Sequence, residues 1–361
     1  MQAIVPTLPI RRSGPTRAIP YALRSDIDAI SFTPIGSAKP MTWRESLDAN
    51  YTDGLVVMHR GKIIYEYTFG AYDLTKVHVA ASVTKRFVGL IATSLIAEGK
   101  LDPQAQVVRY LPEMAGSGFA DATVQQVLDM TTAVDYSENY VTPSPIAQMY
   151  FGGSALLHPP GYAGPKSNFE ALQGLGKKGE HGTAFTYRTP HSDLLGWIIA
   201  RVAGKPVVAQ IEERFWARLG MESDANVWTD STGAPFSGGG LSLHLRDLAR
   251  FAEMLRNDGR VGRAQIVPAT AIAEIRKGAD REKFKAGGYV TLPGWSYHNQ
   301  FWISHDDHGI FMGRGIHGQM FYVNPKAELV IARFASHPIA GNMGIDPNSL
   351  PAWRALAEAA A

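Results

Sequence analysis

The order of apolar patterns along the chain constrains its fold most: strand-like segments and a helix occur at both ends and enclose a helical middle. Leu55 to Met58 and Ile63 to Tyr67 flank Arg60-Gly61, which predicts a β-hairpin over Gly54 to Gly70. The strand pattern returns after about Gly287, in Trp295 to Ile303, Ile310 to Met312, Met320 to Val323 and Leu329 to Phe334. This order predicts a sheet-containing lobe with a helical lobe inserted into it.

The composition of the remaining segments predicts the domain boundaries. Residues 1–40 are rich in Pro, Arg and Ser, so we expect an extended N-terminal arm. Residues 41–100 and 246–361 should form the sheet lobe and residues 101–245 the mainly helical lobe, with a cleft where the two lobes meet. Helical periodicity predicts helices over Ser82 to Ala97, Val124 to Met130, Ser192 to Val202, Gln210 to Leu219, Leu245 to Leu255 and Pro351 to Ala361.

Charge and cysteine content exclude several classes of function. The 361 residues carry a formal net charge of +2 with scattered basic residues, which gives no support to binding of nucleic acid or a membrane surface. The chain has no cysteine, so it has no disulfide, thiolate metal site or cysteine nucleophile. Met1 to Pro20 lacks the apolar core of a secretion signal. We therefore expect a cytoplasmic protein; a monomer and a homodimer both remain open.

Ser82-Val83-Thr84-Lys85 is the only S-x-x-K tetrad in the chain. If Ser82 begins the helix, Lys85 lies one turn later on the same face and can approach the serine hydroxyl. A serine hydroxyl is a weak nucleophile until a neighbouring base takes its proton. Lys85 could be that base, or it could stay charged and favour the ionised form of a third group. The alternative is that Ser82 only caps the helix.

Two further segments could complete a site around Ser82. Tyr187 lies in the loop Gly182 to Thr189, ahead of a predicted helix, where its phenol is a candidate base or simply anchors the loop. Met312 to Gln319 contains three glycines and precedes a strand pattern. Glycine lets a backbone approach a ligand closely, and a backbone N–H at such a place can bind an oxyanion. The alternative is an ordinary turn between strands.

Other patterns do not indicate a metal or a cofactor. His305-Asp306-Asp307-His308 lies between two strand patterns, which favours a solvated hairpin tip over a metal site. Gly238-Gly239-Gly240 does not follow a strand in a G-x-G-x-x-G pattern, so it is not predicted to bind a nucleotide. The chain also lacks the G-x-S-x-G elbow of the α/β-hydrolases. We expect no metal and no cofactor.

Together these segments resemble the serine β-lactamase and penicillin-binding protein superfamily over about residues 50 to 340. Thr123 to Thr132 is similar to that family's "T-hydrophobic-x-x-L-L-x-M-T-S" segment, and Gly238 to Phe251 resembles its "G-G-L…R-D-L-A-R-F" segment. The resemblance implies a β-lactamase-like α/β (α+β) fold, with an antiparallel sheet flanked by helices and an inserted mainly helical lobe. The family's Y-x-N triad reads Tyr187-Arg188-Thr189 here, and its K-T-G triad has no lysine equivalent. That lysine helps to hold the β-lactam carboxylate, so its absence argues against antibiotic turnover.

Within the superfamily, Ala80 to Lys85, Ser137 to Tyr140 and Gly313 to Gln319 resemble the 6-aminohexanoate-dimer hydrolases and related carboxylesterases. The resemblance implies that Ser82 attacks the carbonyl and that Lys85 and Tyr187 form the proton network. Tyr187, as phenolate, would take the proton of Ser82 and pass it to the leaving group.

The same resemblance implies the residues that bind the substrate. The amides of Ser82 and Ile316 would form the oxyanion hole, or Met320 would replace Ile316 if His317-Gly318-Gln319 is the matching triad. Tyr140 would close over the substrate, with Gly315 and His317 beside it. The implied substrate is a small linear amide of the 6-aminohexanoate-dimer type or an ester. A carboxylesterase with little amidase activity, a cell-wall peptidase and a non-catalytic binding protein of the same fold are the alternatives.

Overall fold

The computed structural model describes residues 5–139, 141–153, 158 and 160–360. Its strands are β1 (Thr7–Ile10), β2 (Ser31–Phe32), β3 (Met41–Thr42), β4 (Thr52–His59), β5 (Lys62–Thr68), β6 (His78–Val79), β7 (Ala225–Trp228), β8 (Leu241–Leu243), β9 (Arg260–Val261), β10 (Ala264–Gln265), β11 (Ser296–His298), β12 (Phe301–Ile303), β13 (Phe311–Arg314), β14 (Met320–Asn324) and β15 (Leu329–Ala335).

The α-helices are α1 (Trp43–Ala49), α2 (Thr84–Ala97), α3 (Val107–Tyr110), α4 (Val124–Leu128), α5 (Pro145–Gly153), α6 (Asn168–Gln173), α7 (Pro190–Ala203), α8 (Val207–Ile211), α9 (Leu245–Arg256), α10 (Ala269–Lys277), α11 (Arg281–Lys285) and α12 (Asp346–Ala360). A 3-10 turn, Ala81–Val83, leads directly into α2, and a π-helical turn, Glu212–Trp216, follows α8.

The main sheet joins both ends of the chain. Its seven strands run antiparallel in the order β11-β12-β13-β14-β15-β4-β5. The hairpin β4–β5 turns at Arg60-Gly61, where both residues have positive φ (49° and 76°), as a two-residue hairpin turn requires. β4 then pairs with β15 near the C-terminus, so the sheet combines strands that precede the helical middle in the sequence with strands that follow it. The predicted antiparallel sheet with an inserted helical segment is confirmed.

Both faces of this sheet are covered, which explains why its strands are apolar on both sides. Along β15, Val330 and Ala332 pack in one core with α2 and α9, while Leu329 and Ile331 pack in another with α1 and α12. The side chains alternate between the two cores because successive residues of a strand point to opposite faces. Burial on both faces removes the polar alternation that marks a half-exposed strand.

The N-terminal arm contributes more than an extended covering. β1 pairs with β7 at the edge of a second, four-stranded sheet of order β1-β7-β8-β6. Further along, the amides of Ala22 and Arg24 donate to the carbonyls of Ile63 and Ile64 in β5. The arm thus ties the small sheet to the large one. The domain boundaries drawn from the sequence stay a prediction.

Two predicted boundaries were wrong in detail. The segment Trp295 to Ile303 is two strands, β11 and β12, separated by Asn299 and Gln300, which both have positive φ (47° and 70°). The C-terminal helix begins at Asp346 and contains Pro351, where the sequence pattern placed its start. Among the described residues, no single helix combines the length and apolar character of a membrane span; the bent pair Pro190–Ala203 and Val207–Trp216 passes that test only when joined.

Candidate active site

Ser82 lies in the middle of the tight turn that begins α2. Ala81, the residue before it, has φ 46°, in the left-handed region that costs a residue with a Cβ atom about 1–2 kcal/mol. The turn is held by Thr84 Oγ1, which donates to the Ala81 carbonyl at 2.6 Å, and by Arg86, whose Nη1 donates to the Ser82 carbonyl at 2.6 Å. These bonds hold Ser82 in one orientation, with 7% of its surface exposed.

Lys85 is buried one turn after Ser82 and its ammonium donates to three oxygens. Lys85 Nζ lies 2.9 Å from Ser82 Oγ and 3.2 Å from Thr189 Oγ1, and it also donates to the Gly238 carbonyl. The tetrad therefore has the geometry that its spacing predicts. Thr189 and Gly238 belong to the loop before α7 and the turn before β8, so Lys85 joins three distant segments.

Tyr187 lies on the other side of Lys85. Lys85 Nζ is 5.2 Å from the centre of the Tyr187 ring. The ring stacks on Trp302, with centroids 5.7 Å apart, and meets Tyr297 edge-on at 6.0 Å. Its hydroxyl is buried and has no hydrogen-bond partner among the described residues. The aromatic neighbours hold the ring, and the phenol oxygen is bound to no group of the described residues.

A carboxylate holds the loop that carries Thr189. Glu138 accepts hydrogen bonds from the backbone amide of Thr189, at 2.5 Å, and from its hydroxyl. Because Thr189 Oγ1 donates to Glu138, its lone pairs remain free to accept from Lys85. Glu138 therefore orients the Thr189 hydroxyl, which in turn accepts from Lys85. It is a positioning residue that the sequence analysis did not single out.

A second buried carboxylate supports the Gly238 turn. Asp193 Oδ1 accepts from the Gly238 amide at 2.9 Å, and Asp193 Oδ2 accepts from the Tyr150 hydroxyl. Desolvation raises the pKa of Asp193 to about 7, although the Tyr150 hydrogen bond, the Lys85 charge and the Gly238 amide act in the opposite direction. The Gly238 carbonyl that accepts from Lys85 is thereby fixed from behind.

This pKa gives the stability of the protein a defined pH dependence. In the unfolded chain the carboxyl titrates near its usual value of 3.8, so the folded state holds a proton that the unfolded state has lost between about pH 4 and pH 7. We expect this group to lower the free energy of unfolding as pH rises through that window, by at most about 1.4 kcal/mol per pH unit. Asp193→Asn should remove this contribution. Urea unfolding at pH 5 and pH 7 measures the free energy of unfolding of the wild type and the variant. An equal change between the two pH values in both proteins would contradict the assignment.

The glycine-rich segment forms the turn between β13 and β14, opposite Ser82. Gly315 donates its amide to the Gln319 carbonyl at 2.7 Å, which closes the turn, and Asn342 Nδ2 donates to the Gly315 carbonyl at 3.0 Å. Within the described part of the chain, the amides of Ser82 and Ile316 donate to no acceptor. Two free N–H groups beside a serine hydroxyl are what an oxyanion hole requires.

The β13–β14 turn can lie against the turn that carries Ser82 because Gly315 has no side chain. A Cβ at position 315 would lie 2.7 Å from the Ala80 carbonyl oxygen and 3.1 Å from Ser82 N. The backbone of Gly315, with φ −128°, suits alanine, so the obstacle is contact and not conformation.

We therefore expect Gly315→Ala to separate the two amides and lower kcat about 10²-fold, with a smaller effect on KM. Steady-state kinetics on any good substrate of the enzyme measures this. Gly344→Ala is the matched control, because a Cβ there meets no atom within 4 Å. Equal activities of the two variants would rule out Gly315 as the spacer of this site.

Two cavities meet at Ser82. The Tyr187 cavity, of about 260 Å³, includes Tyr187, Tyr289, Trp302, Arg314 and Asn342. The Trp228 cavity, of about 270 Å³, includes Val79, Phe151, Trp228, Phe236 and Gly239. Ser82, Glu138 and Ile316 line both, so the serine lies at their junction.

The structure brings most of the sequence-predicted site residues to this junction. Ser82 and Ile316 line both cavities, Tyr187 and Gly315 line the first, and His317 lines the second. Met320, the alternative to Ile316, lies in β14 and lines neither of them. Tyr140 lies outside the described residues.

Comparison with known proteins shows the family of the chain. A model of the β-lactamase family matches residues 51–344. The chain belongs to the β-lactamase family. It is similar to the 6-aminohexanoate-dimer hydrolase of Paenarthrobacter ureafaciens, with 31% identity over 337 residues that cover 93% of this chain and 83% of that protein. The family resemblance and the fold class are thus confirmed, and the protein is a hydrolase of the β-lactamase fold.

Two solved structures have the same fold as this chain. A candidate 6-aminohexanoate-dimer hydrolase from Bacillus anthracis superposes with a TM-score of 0.88 at 30% identity, covering 99% of this chain and 92% of that chain. A family VIII carboxylesterase superposes with a TM-score of 0.62 at 18% identity, covering 87% of this chain and 96% of that chain. The carboxylesterase likeness concerns the fold alone.

Proposed function

We propose that this β-lactamase-family hydrolase cleaves short linear amides of the 6-aminohexanoate-dimer type, and esters, through an acyl-enzyme on Ser82. The observation that carries the proposal is the 2.9 Å contact between Ser82 Oγ and Lys85 Nζ at the junction of two cavities. When the scissile carbonyl of a linear substrate lies at Ser82, each of the two cavities can bind one arm of that substrate. Neither a metal nor a cofactor is needed for this chemistry.

The proposed reaction assigns one role to each residue. Tyr187, as phenolate beside the Lys85 ammonium, takes the proton of Ser82 while Oγ attacks the substrate carbonyl. The amides of Ser82 and Ile316 bind the oxyanion of the tetrahedral intermediate. Tyr187 then passes the proton to the leaving nitrogen or oxygen, the carbonyl–leaving-group bond breaks, and the acyl group stays on Ser82. Water releases the acyl group by the same steps in reverse order.

The Tyr187 cavity supports a leaving group that ends in a carboxylate, as 6-aminohexanoate does. Arg314 is 3% exposed, and its Nη2 binds both oxygens of Asp346 at 2.6 and 2.7 Å. Its Nε and Nη1 have no acceptor among the described residues. These two N–H groups lie on different edges of the guanidinium, so they cannot bind one carboxylate as a fork. A single oxygen of an anionic leaving group could accept from one of them.

A hydrolysis panel combined with labelling of the serine tests this function. The panel compares 6-aminohexanoate dimer, short p-nitrophenyl esters and a chromogenic cephalosporin, and intact mass after a fluorophosphonate probe reports on Ser82. We expect turnover of the first two substrates and labelling that Ser82→Ala abolishes. Turnover of esters alone would make the protein a carboxylesterase, turnover of the cephalosporin alone would overturn the proposal, and an unlabelled Ser82 would indicate a non-catalytic binding protein.

A further inference from the structure

The two cavities at Ser82 can be assigned to the two sides of the scissile bond. This step rests on the proposed function, in which Tyr187 protonates the leaving group. A proton donor must lie within hydrogen-bond reach of the atom that receives the proton. Tyr187 lines the Tyr187 cavity and is absent from the walls of the Trp228 cavity. The leaving group therefore lies in the Tyr187 cavity, and the acyl group lies in the Trp228 cavity.

The walls of the Trp228 cavity are mostly apolar. Val79, Phe151, Trp228 and Phe236 supply apolar side chains, and Gly239 supplies bare backbone. The polar residues Thr189 and Gln319 also line the cavity, and their side chains are already hydrogen-bonded within the protein. Among the described residues, two titratable side chains line it, Glu138 and His317. Glu138 belongs to the end shared with Ser82, and its carboxylate already accepts two hydrogen bonds from Thr189.

His317, the second titratable residue, carries no negative charge that could pair with a cation. It is part of the turn that carries Ile316, and its Nδ1 lies 2.7 Å from the His337 carbonyl oxygen, an acceptor that requires a proton on that nitrogen. The neutral ring then has only the uncharged Nε2 as an acceptor for a cation. The buried indole N–H of Trp228 has no acceptor among the described residues. An indole N–H can only donate, so it offers nothing to an ammonium group. A cation–π contact with the aromatic rings of the wall returns less than the hydration that a buried ammonium group loses.

Hydrogen bonds keep these walls in place. The Phe236 amide donates to the Trp228 carbonyl at 2.8 Å, and the Trp228 amide donates to the Gly240 carbonyl at 3.0 Å. The turn between Trp228 and Phe236 is closed by Asp230, whose Oδ1 accepts from the amides of Thr232 and Ala234, at 2.9 and 3.0 Å. A wall held in this way cannot easily rearrange to bring a charged side chain to the end of the cavity.

We propose that the Trp228 cavity selects acyl groups that are apolar to their end and discriminates against those that carry a terminal ammonium. A charge that leaves water for an apolar site without a partner loses more hydration than the site returns. A methyl group at the same position gains from burial. The preferred substrates are therefore neutral acyl chains joined to a carboxylate-bearing amine, and the 6-aminohexanoyl group is a poorer acyl group.

The test is a pair of substrates that differ only at the acyl end. N-heptanoyl-6-aminohexanoate carries a methyl group where 6-aminohexanoate dimer carries its ammonium, and the leaving amine is the same. We expect kcat/KM to be about 30-fold or more higher for the heptanoyl compound at pH 7. Equal values, or a preference for the dimer, would overturn the inference and leave the proposed function standing. If both amides are inert, the p-nitrophenyl esters of the same two acids decide by the same ratio; inert esters together with an unlabelled Ser82 would overturn both.

A variant pair separates charge from shape. Phe151 is 38% exposed, the wall residue at which a carboxylate would stay solvated. We expect Phe151→Glu to shift the ratio toward the ammonium substrate about fivefold relative to Phe151→Gln, because an ammonium then has a partly exposed partner. An identical ratio in the two variants would place the acyl group elsewhere.

Discussion

Replacing Lys85 with methionine is expected to lower kcat/KM for amides and esters about 10⁴-fold, because Tyr187 loses the charge that favours its phenolate and no longer acts as a general base. Lys85 donates to Ser82 Oγ, to Thr189 and to the Gly238 carbonyl. Among the described side chains, it alone links the nucleophile to these two groups. Methionine has similar length and no charge, and it fills the same buried space. Steady-state kinetics on a p-nitrophenyl ester and on an amide measures the loss.

The fold should survive this change. The Gly238 carbonyl loses its donor, which costs about 1–3 kcal/mol for a buried group, while a buried charge disappears. Urea unfolding checks this, and Lys100→Met, at an exposed position whose ammonium pairs with Glu98, is the control. Ser82→Ala combined with Lys85→Met should be no less active than Ser82→Ala alone, since residues that act as a unit do not add. An active Lys85→Met enzyme would show that Ser82 is deprotonated without it.

Local patterns predicted the elements that local chemistry determines. The Arg60-Gly61 turn needs two residues with positive φ, and the periodicity of α2 needs only its own sequence. The tetrad geometry also follows from helical spacing alone. The division of Trp295 to Ile303 into two strands was missed because the turn between them, Asn299-Gln300, contains neither glycine nor proline. Asn299 is instead held by Asp129, whose Oδ1 accepts from its amide at 2.9 Å.

The supports of the site could not be predicted because they depend on contacts between distant segments. Glu138 meets Thr189 across 51 positions, and Gly238 meets Lys85 across 153. No local pattern shows that Glu138 binds Thr189 or that Gly238 binds Lys85. The signal that could have drawn attention to them is the family resemblance, since Glu138 stands in the Ser137 to Tyr140 segment and Gly238 begins the glycine run. Only tertiary structure shows which atoms they bind.

Tyr187→Phe is expected to lower kcat/KM for amides about 10³–10⁴-fold and to lower it by a smaller factor for p-nitrophenyl esters, which lose only the base that activates Ser82. An amide nitrogen must be protonated before it can leave, whereas p-nitrophenolate leaves without a proton. The substitution removes only the hydroxyl, and the ring keeps its contacts with Trp302 and Tyr297. Because that hydroxyl has no partner among the described residues, no hydrogen bond within the protein is lost and stability should not change.

Tyr297→Phe is the matched control for this prediction. Tyr297 belongs to the same aromatic cluster, and its buried hydroxyl also has no partner in the described part of the chain, but it does not line the Tyr187 cavity. Measuring amide and ester turnover for both variants separates chemistry from packing. A loss at Tyr187 that is equal for amide and ester would mean that this residue activates Ser82 without protonating the leaving group. That result would also withdraw the assignment of the two cavities, because the assignment depends on the side from which the proton arrives.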